Sequence, residues 1–211
     1  MNMNNKHITD NIIWSKIDNE KDVFNRIYKK NLWFGRQSVS GRGSESTSVE
    51  NILKTLPKLF KALEIKTIVD IPCGDYYWMN QLGFEFENYI GIDIVEELIN
   101  ENNKKYSNNK TTFICADIIK DKIPKADLIL CRDCFIHLSF ENILKALQNI
   151  KNSDSKYFLT TTYISEKNLD IYNGGFREIN LLLPPFNLKE PVTKIFEEDN
   201  KYLSLWRVDC L

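Results

Sequence analysis

Carboxylates recur just after short apolar runs in this chain. Val69 leads into Asp70-Ile71-Pro72-Cys73-Gly74-Asp75, Gly91-Ile92 into Asp93, Cys115-Ala116 into Asp117, and Cys131-Arg132 into Asp133. In an open α/β sheet, ligands bind beyond the carboxyl ends of the strands, so acidic residues at those ends converge on one edge. One such Asp is an ordinary helix cap. A series of them is more, because Asp93 follows Gly74 by 19 positions, the spacing at which a carboxylate accepts hydrogen bonds from ribose hydroxyls. The first turn holds Gly74 alone where a dinucleotide site wants G-x-G-x-x-G, and Asp75 would repel a pyrophosphate. A nucleoside carrying an amino acid has no phosphate and offers an ammonium group, which an acidic turn suits.

The elements that must position these residues follow from periodicity. Short β runs are expected at 67–71, 89–93, 111–115, 127–131 and 157–162, with helices between them at 95–105 and 139–150. Ser139 is the expected N-cap of the latter helix, with Ile143, Leu144, Leu147 and Ile150 on one face. An earlier helix carries Val49, Ile52, Leu53, Leu56, Leu59, Phe60 and Leu63, with Ser46, Thr47 or Ser48 as its cap. Pro57 inside it is expected to kink or divide it. Strands alternating with helices imply a parallel sheet covered on both faces. Runs at 193–197 and 202–208 flank Glu198-Asp199-Asn200-Lys201 and read as a closing hairpin. A shorter helix at 21–32 precedes a loop, 33–44, that holds three of the chain's eight glycines. That loop is either a flexible connector or a segment that closes over a ligand.

Bulk properties set the outer limits. The 211 residues, 43% hydrophobic and 27% charged, suit one larger globular domain. No apolar run approaches a membrane span, and the polar start of the chain lacks the features of a secretory signal, so a cytoplasmic location is expected. A net charge of -1 gives no general attraction to nucleic acid. The five cysteines, an odd number, read as reduced structural residues. Cys131 and Cys134 have half-site spacing for zinc, but no second pair completes it and no metal site is expected.

With those residues in place, the chain resembles the class I S-adenosylmethionine-dependent methyltransferases. In particular it is similar to small bacterial ones encoded with capsule and surface-polysaccharide genes. The match lies in a Trp and Gly/Ser-rich N-terminal loop, the D-x-P-C-G-D turn at 70–75 and the R-D-x-x-x-H-L segment at 132–138, and covers about Asp22 to Val208. The resemblance implies a Rossmann-like α/β fold with a mostly parallel seven-stranded sheet, helices on both faces and a C-terminal antiparallel hairpin. It divides the chain into 1–46, an N-terminal helix and cofactor-closing loop, and 47–211, a single methyltransferase domain. It implies S-adenosyl-L-methionine as cofactor, with S-adenosyl-L-homocysteine as product. Asp70, Cys73, Gly74 and Asp75 would line its methionine end, Asp93 would hold the ribose, and Ile94 would pack on the adenine. Asp117 and the Ile118 backbone would meet the adenine edge, while Trp33, Gly41 and Ser44 would belong to the closing loop. Cys131 and Arg132, at the end of the fourth strand, complete that cofactor set. Pro72 and Cys73 replace two glycines of the commoner form of the turn.

Displacement at a sulfonium needs alignment of acceptor, methyl and sulfur, and a hydroxyl acceptor gains from a base. Of the two histidines, His7 lies in the polar start and His137 follows the fourth strand, where methyltransferase acceptors bind. His137 is therefore the expected base, with Asp133 orienting it or touching the acceptor; the alternative is a His137 that only packs at the start of the next helix. Tyr163, Arg177 and Asn180 are candidate acceptor contacts beyond the fifth strand. Arg177 either binds a phosphate or carboxylate on the acceptor or anchors a surface loop. The fourth strand is not followed by the Asn/Asp-Pro-Pro-aromatic turn of the nucleic-acid amino-methyltransferases, so base methylation is not expected. The expected activity is O-methylation of a small or sugar-type acceptor (a nucleotide sugar, a glycan or a phosphoramidate) in capsule or surface-polysaccharide biosynthesis. The remaining alternatives are a non-catalytic cofactor-binding or partner subunit of the same fold, and a nucleotide-dependent oxidoreductase.

Overall fold

The computed structural model describes residues 19–211, so His7 lies outside the described residues. The strands are β1 (Thr67–Asp70), β2 (Asn88–Asp93), β3 (Thr111–Cys115), β4 (Leu128–Cys131), β5 (Tyr157–Tyr163), β6 (Thr193–Glu198) and β7 (Lys201–Arg207). They form one sheet in the order β3-β2-β1-β4-β5-β7-β6. The first five are parallel, and β7 runs antiparallel between β5 and β6. The sequence continues from β1 outward to β3 on one side and returns through β4 on the other. The order therefore reverses between β1 and β4, the crevice where such sheets bind ligands.

Period-two alternation sends neighbouring residues to opposite faces. Ile68, Leu128 and Leu130 join one core layer, while Val69, Ile129 and Cys131 join the other. Among the described residues the α-helices are α1 (Glu20–Lys30), α2 (Ser46–Ala62), α3 (Glu96–Tyr106) and α4 (Phe140–Lys151). Val49, Ile52, Leu56 and Phe60 of α2 and Ile99 of α3 close the first layer, and Ile143, Ala146, Leu147 and Ile150 of α4 close the second. Ser139 caps α4 as expected, accepting the Asn142 N–H at 3.4 Å.

Division at Pro57 and a hydroxyl cap are both absent from α2. Pro57 does not divide it; the helix runs unbroken for 17 residues. Its buried stripe of Val49, Ile52, Leu56 and Phe60, each without solvent exposure, outweighs the missing backbone donor. Nor does a hydroxyl cap it. Glu45 takes the N-cap position without a side-chain bond, and the Ser46 N–H is met instead by Gln37 Oε1 at 3.0 Å.

Candidate active site

The carboxyl ends of β1 to β4 open into a pocket of about 1020 Å3, counting its solvent-open mouth. Asp70, Pro72, Cys73, Gly74, Asp93, Ile94, Ala116, Asp117, Ile118, Arg132, Asp133 and His137 line it from the sheet side. Helix α1 and the loop after it form the opposite wall through Glu20, Phe24, Tyr28, Trp33, Val39, Ser40 and Ser44.

The β2 end is the most constrained. Asp93 is buried, and its carboxylate accepts the N–H groups of Gly74 at 3.2 Å and Val95 at 3.0 Å. Burial pushes its pKa up to about 6, against the opposing pull of those backbone donors. Gly74, at φ 55°, bends the β1 turn back so that its N–H reaches Asp93. Beside it, Asp70 receives the Tyr89 hydroxyl at 2.6 Å, and burial lifts its carboxyl to about 7. Asp117 accepts from the Ile119 N–H at 2.8 Å and lies 3.4 Å from the Lys120 ammonium.

The N-terminal segment is fastened across the mouth. Glu20 accepts from Lys120 at 2.7 Å and from the Asn142 amide at 2.9 Å. Asp75 accepts from the Ser38 hydroxyl at 2.9 Å and the Val39 N–H at 3.0 Å, while its own N–H donates to Ser40 Oγ at 3.0 Å. Gly43 lets the loop approach Asp133, since a Cβ there would stand 2.8 Å from Asp133 Oδ2.

His137 is held on two sides. Its Nδ1 lies 2.7 Å from the Gly175 carbonyl oxygen, which can only accept, so Nδ1 carries the proton and Nε2 presents its lone pair. Its ring stacks on Trp33, with centroids 4.8 Å apart and planes 24° from parallel. Burial lowers its pKa to about 4, outweighing the carbonyl and the nearby Asp133. Asp133 is held well below the usual carboxylate range by the Arg132 and Lys201 cations, which overcome its burial. The residue sits at φ 52°, a left-handed turn that swings its side chain from the end of β4 toward Lys201.

The likeness to known proteins lies in the fold. Residues 68–153 match the family model described as a methyltransferase domain. Magnesium protoporphyrin IX methyltransferase of Synechocystis PCC 6803 with bound S-adenosylmethionine superposes with TM-score 0.62 at 12% identity, over 91% of this chain and 97% of that one. Human N-acetylserotonin methyltransferase in complex with the same cofactor gives TM-score 0.63 at 14% identity, over 96% of this chain and 65% of that one. The fold is that of the class I S-adenosylmethionine-dependent methyltransferases. Phosphoethanolamine N-methyltransferase of Plasmodium falciparum is 43% identical over 120 residues, 54% of this chain. The chain spans 42% of that relative's length.

Within this methyltransferase fold, most of the expected cofactor residues come together: Trp33, Ser44, Asp70, Cys73, Gly74, Asp93, Ile94, Asp117, Ile118 and Arg132 share one cavity with Asp133 and His137. Others do not line it. Asp75 turns away to hold the 38–40 backbone, and Gly41, at φ 98°, packs under the Trp33 side chain. Cys131 is fully buried beneath the site. Arg177 is a correction to the anion-binding alternative. It is buried, donating to the carbonyl oxygens of Phe135 and Leu138, and its guanidinium lies over the Phe140 ring at 5.6 Å. A charge inside the chain takes the nearest unpaired carbonyls, and here they are those of the short turn before α4. Asn180 likewise donates to the Ser165 carbonyl at 3.1 Å, and Tyr163 lies outside the lining.

Sequence reasoning missed Glu20, Glu197 and Lys201. Arg132 is buried, pairing with Glu197 at 2.7 Å, while Lys201 bridges Asp133 at 2.9 Å and Glu197 at 3.1 Å. The signal available was weak: both partners flank the charged hairpin turn, where solvated side chains are the rule. Among the described residues, no group of three or more His, Cys, Asp or Glu side chains could hold a metal ion.

Proposed function

We propose that the chain binds S-adenosyl-L-methionine in the β1–β4 crevice and methylates a hydroxyl of a small or sugar-type acceptor, with His137 as base. The observation that carries this reading is an imidazole whose Nδ1 is held 2.7 Å from the Gly175 carbonyl oxygen, leaving Nε2 as the acceptor, in the same cavity as the Asp93 carboxylate. The donor set fits the cofactor: a buried carboxylate for ribose hydroxyls, Ile94 and Ile118 as apolar walls for a purine, Asp117 at its edge, and acidic Asp70 toward an ammonium. The bound cofactor would supply an electrophilic methyl on a sulfonium. Asp93 and Asp117 would fix its nucleoside end, and the Trp33–Ser44 loop would keep water from the reacting centre. His137 would accept the acceptor's hydroxyl proton at Nε2, worth roughly 10² to 10⁴ in rate.

With the cofactor's contacts assigned, Glu20 and Asp133 remain to face the acceptor. Among the described residues that line the pocket, Arg132 is the one fixed cation, and Glu197 already neutralises it. That favours a hydroxyl-rich, uncharged acceptor over a phosphorylated one. The capsule and surface-polysaccharide setting rests on the resemblance of the 33–44 loop, the 70–75 turn and the 132–138 segment. A second reading, N-methylation of a small phosphorylated amine, draws on the 43% match to the Plasmodium falciparum enzyme.

A screen with methyl-labelled S-adenosylmethionine against nucleotide sugars, capsular oligosaccharides, phosphoramidates and phosphoethanolamine separates the two. Label on a sugar oxygen supports the first reading; label confined to an amine sinks it. His137→Gln should lower kcat by about 10² or more with cofactor affinity retained. Absence of turnover with every acceptor would favour a cofactor-binding subunit.

A further inference from the structure

The C-terminal hairpin lies outside the matched methyltransferase segment of 68–153, yet it reaches the site. Lys201, the first residue of β7, has a side chain only 4% exposed, with its Nζ 2.9 Å from Asp133 Oδ2 and 3.1 Å from Glu197 Oε2. Arg132 meets the same two carboxylates at 3.3 Å and 2.7 Å. Two cations and two anions thus alternate around a buried ring that is neutral overall. Such clusters are weak contributors to stability, because desolvation offsets their attraction. Its place explains it better. Asp133 and His137 line the same cavity, and Arg132 also donates to the Gly43 carbonyl of the closing loop at 2.8 Å.

We propose that Lys201 is a positioning residue for the His137 end of the site: it holds the Asp133 carboxylate in place and offsets its charge, so that Asp133 adds less to the proton affinity of the imidazole. The charged groups acting on His137 come from three directions. Asp133, at the end of β4, favours the imidazolium; Lys201 of β7 and Arg177 of the connection before β6 oppose it. Trp33, stacked from the loop after α1, carries no charge. Without Lys201, Asp133 would face the imidazole with only Arg132 against it. This inference rests on the proposed role of His137 as base.

The test is the titration of His137 in the full chain, read by NMR and, once an acceptor is known, by the acidic limb of kcat against pH. Lys201→Met should raise the proton affinity of His137 about tenfold, a shift of about one pH unit, and move the kinetic limb equally. Lys201→Arg should restore the parent value. Asp133→Asn should lower the His137 pKa, and Asp133→Asn with Lys201→Met should bring it back up. That pair keeps the test open even if Lys201→Met alone does not fold. A His137 pKa that is unmoved by Lys201→Met, or equal in the Asp133→Asn variant and the double variant, overturns the proposal. His137→Gln that retains full activity would instead overturn the base role, leaving the titration result to stand by itself.

Discussion

Asp93, at the proposed cofactor site, is a buried carboxylate whose burial costs the fold. Its carboxylate is buried with two backbone N–H groups, fewer partners than its oxygens can take, and burial lifts its pKa from 3.8 to about 6. A raised folded pKa contributes stability that is present below the unfolded value and lost as pH rises through the folded one. Ionised at pH 7.5, Asp93 therefore costs the fold at most about 3 kcal/mol, and Asp70, lifted to about 7, acts in the same direction. Asp93→Asn should flatten the fall in melting temperature between about pH 4 and pH 6, measured by calorimetry. It should also weaken S-adenosylmethionine binding by roughly 10- to 100-fold, since an amide supplies one acceptor oxygen where the ribose wants two. A variant that binds the cofactor as tightly as the parent would remove Asp93 from the site. At this scale the sequence was legible where a side chain stands at a strand end, as Asp93 and Asp117 do. It was not legible for Arg177, because whether a guanidinium faces solvent or the Phe135 and Leu138 carbonyls depends on how the 164–192 connection folds back.

Helix α1 and the 31–45 loop are an element joined to the body by Phe24, by the Trp33–His137 stack and by a set of polar contacts. Glu20 bonds to Lys120 and Asn142, Asp75 gathers Ser38, Val39 and Ser40, and Arg132 takes the Gly43 carbonyl. Its own apolar cluster is small, centred on Val23 and Ile27. Few buried apolar contacts place a segment at the low-stability end of a fold, where closing loops are found. Two predictions belong here. Asp75→Ala should speed amide exchange over residues 36–45 and weaken cofactor affinity about tenfold, roughly 1.4 kcal/mol, with the rest of the sheet's protection unchanged. Trp33→Ala should lower kcat more than affinity, because it removes the ring stacked on His137. An effect of Trp33→Ala confined to affinity would limit that ring to cofactor closure. The sequence located this loop by its glycines but left its role open, and it put Asp75 on the cofactor. Loop and turn are 35 or more residues apart, and local periodicity carries no information about a contact of that separation.

For the whole molecule, the crevice is a consequence of strand order. Placing β4 beside β1 rather than beside β3 brings the Asp70 and Asp133 ends together and leaves Asp93 and Asp117 on the far side of the same opening. A ligand that binds the folded crevice alone must stabilise the fold by mass action, about 2.7 kcal/mol at a hundredfold excess over its Kd. For a chain of this size that is a rise in melting temperature of roughly 5 to 10 °C. S-adenosylmethionine and S-adenosylhomocysteine should produce it, and NAD should not, since the 70–75 turn lacks a phosphate cradle. A shift with NAD and none with S-adenosylmethionine would overturn the cofactor assignment.

By itself the sequence determined the strands, the helices and the acidic residue at each of the first four strand ends, because those follow from side-chain period and from residue type within a few positions. It also carried the parallel sheet and its closing hairpin, through alternation and turn composition. Only the tertiary structure decided which charges neutralise one another. Glu197 reads as the end of a β run and Lys201 as part of the hairpin turn, and they become the buried partners of Arg132 and Asp133 once β7 inserts beside β5. The acidic strand ends thus divide into those lining the pocket with no hairpin partner and one, Asp133, answering to the hairpin. That division depends on contacts 65 and 68 residues apart, where burial and low dielectric, rather than residue type, set the strength of each charge.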